Sequence, residues 1–328
     1  MQVIEAKEPG GPDVLQLQER PEPTPARGEV VVDVAAAGVN FYDTYVRSGV
    51  YSADFPLVLG NEGAGEVIAV GDDVTHIAVG DRVAWAGSGG GSYAKFLAIA
   101  ATKVVPVPDN VDLRTAAAVP LQGMTAHMLV EGAFNVQPGH DVLLTAGAGG
   151  VGLLLTQLAV ARGARVITTV STEEKERMSR AAGAADVIRY DAFTDMTTEL
   201  SQAVRDLTEG RGVDVAYDGV GKDTFDASLA SVRMRGMLVL FGGASGQVPP
   251  FDLQRLNSAG SLFVTRPTLF HYIAETDELR YRARAVFTAV AEGSLDVHIG
   301  AQFPLADAAR AHRALEGRET TGKVLLLP

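Results

Sequence analysis

The stretch that most restricts this chain is Asp141–Val160, DVLLTAGAGGVGLLLTQLAV. A short apolar run, Val142–Leu144, passes through a glycine cluster into an amphipathic segment. Gly147, Gly149 and Gly152 fall on G-x-G-x-x-G spacing between a predicted strand and a predicted helix. Glycine at those places permits a tight turn, close approach of backbone to a pyrophosphate, and close packing of helix on strand. A helix starting near Gly150–Val151 then offers unpaired N–H groups and the positive end of its dipole to a phosphate. A purely structural βα turn would use the same residues. The strand before and the helix after favour a dinucleotide cradle.

The segments around it divide in character. Residues 1–120 read as short β-rich runs separated by Gly/Pro turns: Gln2–Glu5, Leu15–Glu19, Glu29–Ala37, Gly65–Val70, Arg82–Ala86, Ala94–Ala98 and Val104–Val107. Such spacing predicts a small, partly closed β-barrel. Helical patterning begins near Ala116, and from Asp141 to Phe241 predicted strands and helices alternate. Repeated β–α units imply a parallel sheet wound on both faces. A predicted helix Asp277–Glu292 follows, and the tail RETTGKVLLLP ends in a strand-like run that returns most simply to the first domain.

Composition closes off several function classes. At 328 residues the chain has room for about two domains, and 47% apolar content with 36 glycines suits an α/β enzyme. The net charge of −12 disfavours non-specific attraction to nucleic acid or an anionic membrane. Cysteine is absent, which removes disulfides, a thiolate nucleophile and Cys-based zinc or iron–sulfur sites. The N-terminus meets Glu5, Lys7 and Glu8 before any apolar stretch, and no run is long enough to span a bilayer. A soluble, cytoplasmic protein is expected.

Three groups of residues bear on chemistry. The strand Arg165–Val170 ends in Ser171 and Thr172, neutral hydroxyls, with Lys175 close behind. An acidic residue there would bind the ribose diol of NAD, whereas hydroxyls and a lysine suit the 2′-phosphate of NADPH. A solvated surface lysine is the competing reading of Lys175. The six histidines are scattered with no i, i+4 pair, so no metal site is expected. The segment Gly38–Tyr51, GVNFYDTYVRSGVY, gathers Asn40, Tyr42, Tyr45 and Tyr51 in a predicted loop-and-turn region. Its tyrosines serve either a planar substrate or aromatic packing between domains. With no evident Ser–His–Asp set or carboxylate pair, the chain points to cofactor-borne hydride chemistry.

Gly60-Asn61-Glu62-Gly63-Ala64-Gly65, followed by Gly71, Val74, Gly80-Asp81 and Val83, resembles the medium-chain dehydrogenase/reductase signature. Zinc alcohol dehydrogenases of that superfamily carry a histidine ligand where this chain has Asn61. Their catalytic cysteine falls at Asn40, and their four-cysteine lobe is missing here. End to end, the stretches AAGVNFYDTYVRSGVY, PLVLGNEGAGEV, PLQGMTAH, GAGGVG, YDGVGKDTF, LVLFGGASG, VTRPTL and GRETTGKVLLLP resemble the zinc-independent quinone oxidoreductase (zeta-crystallin-like) branch.

The resemblance implies an α/β chain with a GroES-like β-barrel domain (1–121 and 267–328) and a doubly wound Rossmann domain with a parallel sheet (122–266). It also implies NADPH, a quinone substrate, and a homodimer built through Rossmann-domain edge strands. Asn40, Tyr45 and Tyr51 would be the catalytic residues, with Phe41 beside them on the cofactor. Thr125, His127 (where close relatives often carry tyrosine), Gly149, Gly150 and Val151 would line the cofactor. Ser171, Thr172, Lys175 and Tyr190 would surround its 2′-phosphate. Phe241, Gly242, Gly243, Ala244 and Ser245 would line the nicotinamide side. Phe263, Val264, Thr265 and Arg266 would complete the cleft, and Arg318 would reach back from the tail. Reduction would proceed by hydride or single-electron transfer, without metal. Two alternatives stand beside this reading. One is an NADPH-dependent enone, 2-alkenal or enoyl-thioester reductase on the same scaffold. The other is NADPH-regulated RNA binding, known for animal members of the branch, which the acidic balance opposes.

Overall fold

In a computed structural model all residues from Met1 to Pro328 are described. The chain divides into two compact units, Met1–Met124 with Tyr272–Pro328, and Thr125–His271.

The first unit begins with β1 (Gln2–Ala6), β2 (Gln16–Glu19) and the long β3 (Glu29–Val39). A helix, α1 (Phe41–Arg47), follows at once, then β4 (Leu57–Val58), β5 (Glu62–Val70), β6 (Arg82–Ala86), β7 (Phe96–Ala100) and β8 (Val104–Pro106). Two helices end this segment, α2 (Leu113–Ala118) and α3 (Pro120–Met128). Asp112 caps α2 by accepting the N–H groups of Arg114 and Thr115 at 3.0 and 3.1 Å.

The second unit carries the alternation expected from sequence. It runs β9 (Asp141–Leu144), α4 (Gly150–Ala161), β10 (Arg165–Val170), α5 (Glu173–Ala181), β11 (Asp186–Arg189) and α6 (Met196–Leu207). It continues with β12 (Val213–Asp218), α7 (Phe225–Ser231), β13 (Val232–Leu240), α8 (Gln254–Ser258), β14 (Phe263–Thr265) and α9 (Leu269–Tyr272). The six strands are parallel, in the order β11-β10-β9-β12-β13-β14. Counted from β9 this is 3-2-1-4-5-6, the dinucleotide-binding order, which reverses direction at β9. Every residue of β12 is buried, as a strand covered on both faces requires.

The chain then returns to the first unit with α10 (Thr276–Ala291), β15 (Ile299–Pro304), α11 (Ala308–Glu316) and β16 (Lys323–Leu327). The tail strand pairs antiparallel with β3 through Val324–Val39, Leu325–Gly38 and Leu326–Ala37. It thereby enters a seven-stranded sheet ordered β15-β16-β3-β5-β6-β8, with β7 also on β3. Trp85, Tyr93, Leu59, Val32 and Leu326 lie in the core this sheet encloses. No helix is long and apolar enough to cross a membrane.

One local expectation is corrected. The tyrosine-rich segment is not loop and turn throughout, because Phe41–Arg47 is helical. Tyrosine, valine and threonine are poor helix formers, so propensity understates it. Two hydrogen bonds compensate: the Asn40 N–H donates to Asp43 Oδ2 at 2.9 Å, and Thr44 Oγ1 donates to the Phe41 carbonyl at 2.8 Å.

Candidate active site

The glycine cluster sits between the end of β9 and the start of α4, at the point where the strand order reverses. Gly149 is the N-cap of α4 and has no side chain to satisfy the first N–H groups, which leaves them for an anion. Close approach explains Gly152: a Cβ there would overlap the carbonyl oxygen of Ala146. The turn is anchored from β12. Thr145 Oγ1 accepts the Gly219 N–H at 3.0 Å, and buried Asp218 accepts from Val220 N, Gly221 N, Thr224 Oγ1 and Ser228 Oγ.

Asp218 also fixes the loop expected at the nicotinamide side. Its backbone carbonyl accepts the N–H of Phe241 at 2.8 Å, and the half-buried residues Gly242, Gly243, Ala244 and Ser245 follow. Ser245 Oγ accepts from Asp223 N and donates to the Val220 carbonyl, so that hydroxyl holds the loop. At the end of β10, Ser171, Thr172 and Lys175 follow Val170, whose carbonyl accepts the Tyr190 N–H at 3.1 Å. Thr172 Oγ1 accepts the Lys175 N–H at 3.2 Å as the N-cap of α5, which assigns it a structural role in addition to any cofactor contact. Thr125 and His127 are buried in α3, with His127 Nε2 3.4 Å from Glu131.

Phe263 and Val264 belong to β14, which pairs only with β13 and is the sheet's edge; they are 57% and 37% exposed. Thr265 is half-buried, and Arg266 donates to the Leu240 carbonyl at 3.4 Å. Arg318 lies exposed just after α11, its N–H on the Leu315 carbonyl.

In the first unit the tyrosines pack on one another. Tyr51 meets Tyr45 edge-on at 5.3 Å between centroids and Tyr42 at 5.6 Å, while Phe41 lies 6.3 Å from Tyr45. Asn40 is 3% exposed, at the foot of α1. Its Nδ2 donates to Glu62 Oε2 at 2.7 Å, and its Oδ1 accepts from Lys323 Nζ at 2.8 Å and from Gln122 Nε2 at 3.2 Å. Lys323 also pairs with Glu62, both fully enclosed, and Glu62 Oε1 accepts the Leu121 N–H at the start of α3. Gly38 faces this group, where a Cβ would overlap Glu62 Oε2.

A second buried network adjoins it. Asp43 accepts from Asn40 N, from Asn61 Nδ2 at 3.3 Å and from Tyr93 OH at 3.2 Å. Tyr93 OH meets His312 Nε2 at 3.1 Å, and His312 Nδ1 lies 3.0 Å from Arg47, which grips Glu316 with both terminal nitrogens. Burial pushes the Asp43 carboxyl up to about 6. Burial, and then the Arg47 charge, push the His312 imidazole down to about 3. Asp43 and Asn61 line a cavity of about 370 Å³ together with Tyr42, Ser52 and Gly89.

Sequence reading missed Glu62, Gln122, Lys323 and His312. Glu62 and Lys323 stood in stretches already singled out, GNEG and TGKV, but nothing local joins residues 261 positions apart.

One unit with a parallel sheet in dinucleotide-binding order, and another whose antiparallel sheet takes in the chain's own tail, define a two-part nicotinamide-dependent oxidoreductase. Residues 26–109 match the alcohol dehydrogenase GroES-like domain, and residues 150–304 match the zinc-binding dehydrogenase family. A quinone oxidoreductase of Pseudomonas aeruginosa is 44% identical, with 97% of each chain covered. A 2-haloacrylate reductase of a Burkholderia species is 40% identical over 97% of this chain and 96% of its own. The NADPH complex of a mycobacterial protein superposes with a TM-score of 0.96 at 50% identity, covering 100% of both chains. The chain belongs to the medium-chain dehydrogenase/reductase superfamily, in its quinone oxidoreductase (zeta-crystallin-like) branch.

Zinc, which one family description implies, does not fit the residues present. No three His, Cys, Asp or Glu side chains gather to hold a metal ion, and Glu62 is spent on Lys323, Asn40 and Leu121. NADPH does fit: an uncapped helix N-terminus, a glycine that side chains would fill, and a strand end with hydroxyls and a lysine in place of a carboxylate.

Proposed function

We propose that this chain is an NADPH:quinone oxidoreductase that works without a metal ion. The observation that carries the reading is the end of β10, where Ser171 and Lys175 replace the acidic residue that an NAD site uses. Near-full-length likeness to a quinone oxidoreductase and to an NADPH complex supports it. When bound, NADPH supplies hydride equivalents. The chain's task is to hold the dinucleotide and to orient the acceptor. Gly150 and Val151 direct N–H groups to the pyrophosphate, and Ser171, Lys175 and Tyr190 receive the 2′-phosphate. Asn40, Tyr45 and Tyr51 face the quinone, and the protein works as a cytoplasmic homodimer. Dimerisation is supported by β14, an edge strand with apolar Phe263 and Val264 exposed and one side of its backbone unpaired.

A second reading has a specific observation in its favour. The 2-haloacrylate reductase relative makes a polarised C=C bond a candidate acceptor on the same scaffold. Initial rates with 1,4-benzoquinone, 1,2-naphthoquinone, an alkenal and 2-chloroacrylate, each with NADPH and NADH, separate the two. Turnover of quinones with NADPH is expected; turnover confined to the C=C acceptors, or equal use of NADH, overturns the proposal.

A further inference from the structure

We infer that Lys323, Glu62 and Gln122 are positioning residues for Asn40, and that together they leave its carboxamide one N–H to donate to the acceptor's carbonyl oxygen. The inference rests on the reading that Asn40 faces the acceptor.

The argument is a count of hydrogen-bonding capacity. An asparagine amide has two donor hydrogens on nitrogen and two acceptor lone pairs on oxygen. An ammonium group only donates, so the atom 2.8 Å from Lys323 Nζ must be the amide oxygen. A carboxylate only accepts, so the atom 2.7 Å from Glu62 Oε2 must be the amide nitrogen. These two partners fix the orientation, because a flipped amide would set N–H against ammonium and oxygen against carboxylate. Gln122 Nε2, at 3.2 Å, takes the second lone pair of Oδ1. Both acceptor positions and one donor are therefore committed, and one Nδ2–H remains.

What remains defines the ligand atom that can meet it. A group with a lone pair is accepted there, and a group offering only N–H or O–H finds no acceptor on this amide. The carbonyl oxygen of a quinone, or of an α,β-unsaturated carbonyl compound, meets that requirement. As such an acceptor takes a hydride from NADPH, its oxygen gains negative charge, and uptake of one proton from solvent completes the hydroxyl. A fixed N–H in a place only 3% exposed stabilises that charge far better than mobile water does. Lys323 strengthens it by drawing electron density toward Oδ1. Glu62 balances the ammonium charge in an interior where an unpaired cation would be strongly disfavoured. The same three side chains thus fix the amide's direction and its polarity.

The test compares Asn40→Ala, the double variant Glu62→Gln/Lys323→Met, and the triple variant combining them. Steady-state quinone kinetics and NADPH dissociation constants are measured on variants that retain the wild-type circular dichroism spectrum. Asn40→Ala is expected to lower kcat about 100-fold, the effect of removing one donor to a developing oxyanion, with NADPH affinity unchanged. The double variant loses at least about tenfold in kcat, and the triple variant is no slower than Asn40→Ala alone. Losses that multiply in the triple variant assign Lys323 and Glu62 a merely structural role and overturn the inference. So does a double variant with wild-type kcat. Should the double variant fail to fold, Gln122→Ala breaks no ion pair and is compared with Asn40→Ala in the same way. A different result sinks the underlying reading: full quinone activity in Asn40→Ala, or a change confined to NADPH affinity, removes Asn40 from the acceptor side.

Discussion

The ammonium of Lys323 and the carboxylate of Glu62 form an ion pair with 1% and 0% of their side chains exposed, joining the first residue of the last strand to the first residue of β5. Removing one partner strands a buried charge, which costs about 3–5 kcal/mol in comparable pairs, whereas neutralising both is far milder. Lys323→Met alone is expected to lower the urea unfolding free energy by that amount, and Glu62→Gln/Lys323→Met by much less. Equal losses in the two variants would contradict a paired-charge origin.

Gly152→Ala tests the cradle sterically. The new Cβ meets the Ala146 carbonyl, which is backbone and cannot swing away. The start of α4 must shift, and NADPH affinity is expected to weaken on the order of tenfold or more, since small misplacements at such sites are expensive. Isothermal titration with NADPH reads it directly.

Lys175→Ala tests cofactor choice. A hydrogen bond to a charged group contributes about 1.5–3 kcal/mol, so NADPH binding should fall by roughly one to two orders of magnitude while NADH binding stays level. Unchanged binding of both cofactors would assign Lys175 to the helix surface instead, and parallel weakening of both would move its contact away from the 2′-phosphate.

Tyr51 packs between Tyr42 and Tyr45, so losing only its hydroxyl leaves that cluster intact. In Tyr51→Phe the KM or kcat for quinones should change several-fold, in keeping with one hydrogen bond of about 1 kcal/mol, at constant NADPH affinity. Unaltered quinone kinetics would remove the hydroxyl from the site.

Stability should respond to pH through two buried groups with opposite signs. His312 is held neutral down to about pH 3, against Arg47 and Tyr93. Its folded-state value lies below the unfolded one, so its contribution is present above about pH 6.5 and is lost as pH falls toward 3, about 5 kcal/mol in all. Asp43, raised to about 6, contributes most below about pH 4, and that contribution, about 3 kcal/mol, is lost as pH rises through 6. Melting curves from pH 4 to 8 should therefore show wild type losing its advantage over His312→Gln on acidification. Against Asp43→Asn, wild type should lose its advantage as pH rises.

The residues proposed to hold the cofactor could be named from the sequence because they are local. Gly147 to Gly152, the hydroxyls at Ser171 and Thr172, and Lys175 lie within 29 consecutive residues, each at a backbone turn, strand end or helix start. The βα alternation likewise appears as a repeating period, and the tail's return to the first unit, expected of a final strand with no partner following it, is seen in the pairing of β16 with β3. Helix α1 escaped notice because its stabilisation comes from an Asn40–Asp43 hydrogen bond and not from propensity. What only the tertiary structure decided is the group around Asn40. Its partners stand at positions 62, 122 and 323, on β5, α3 and β16. The absence of cysteine in the sequence already excluded the thiolate ligands. It took the folded sheet, pairing β16 with β3 beside β5, to show a buried lysine–glutamate pair gripping that asparagine. The reason is physical: a hydrogen bond between distant segments leaves no period or spacing in the chain, since each partner is an ordinary polar residue until folding removes water from around all of them.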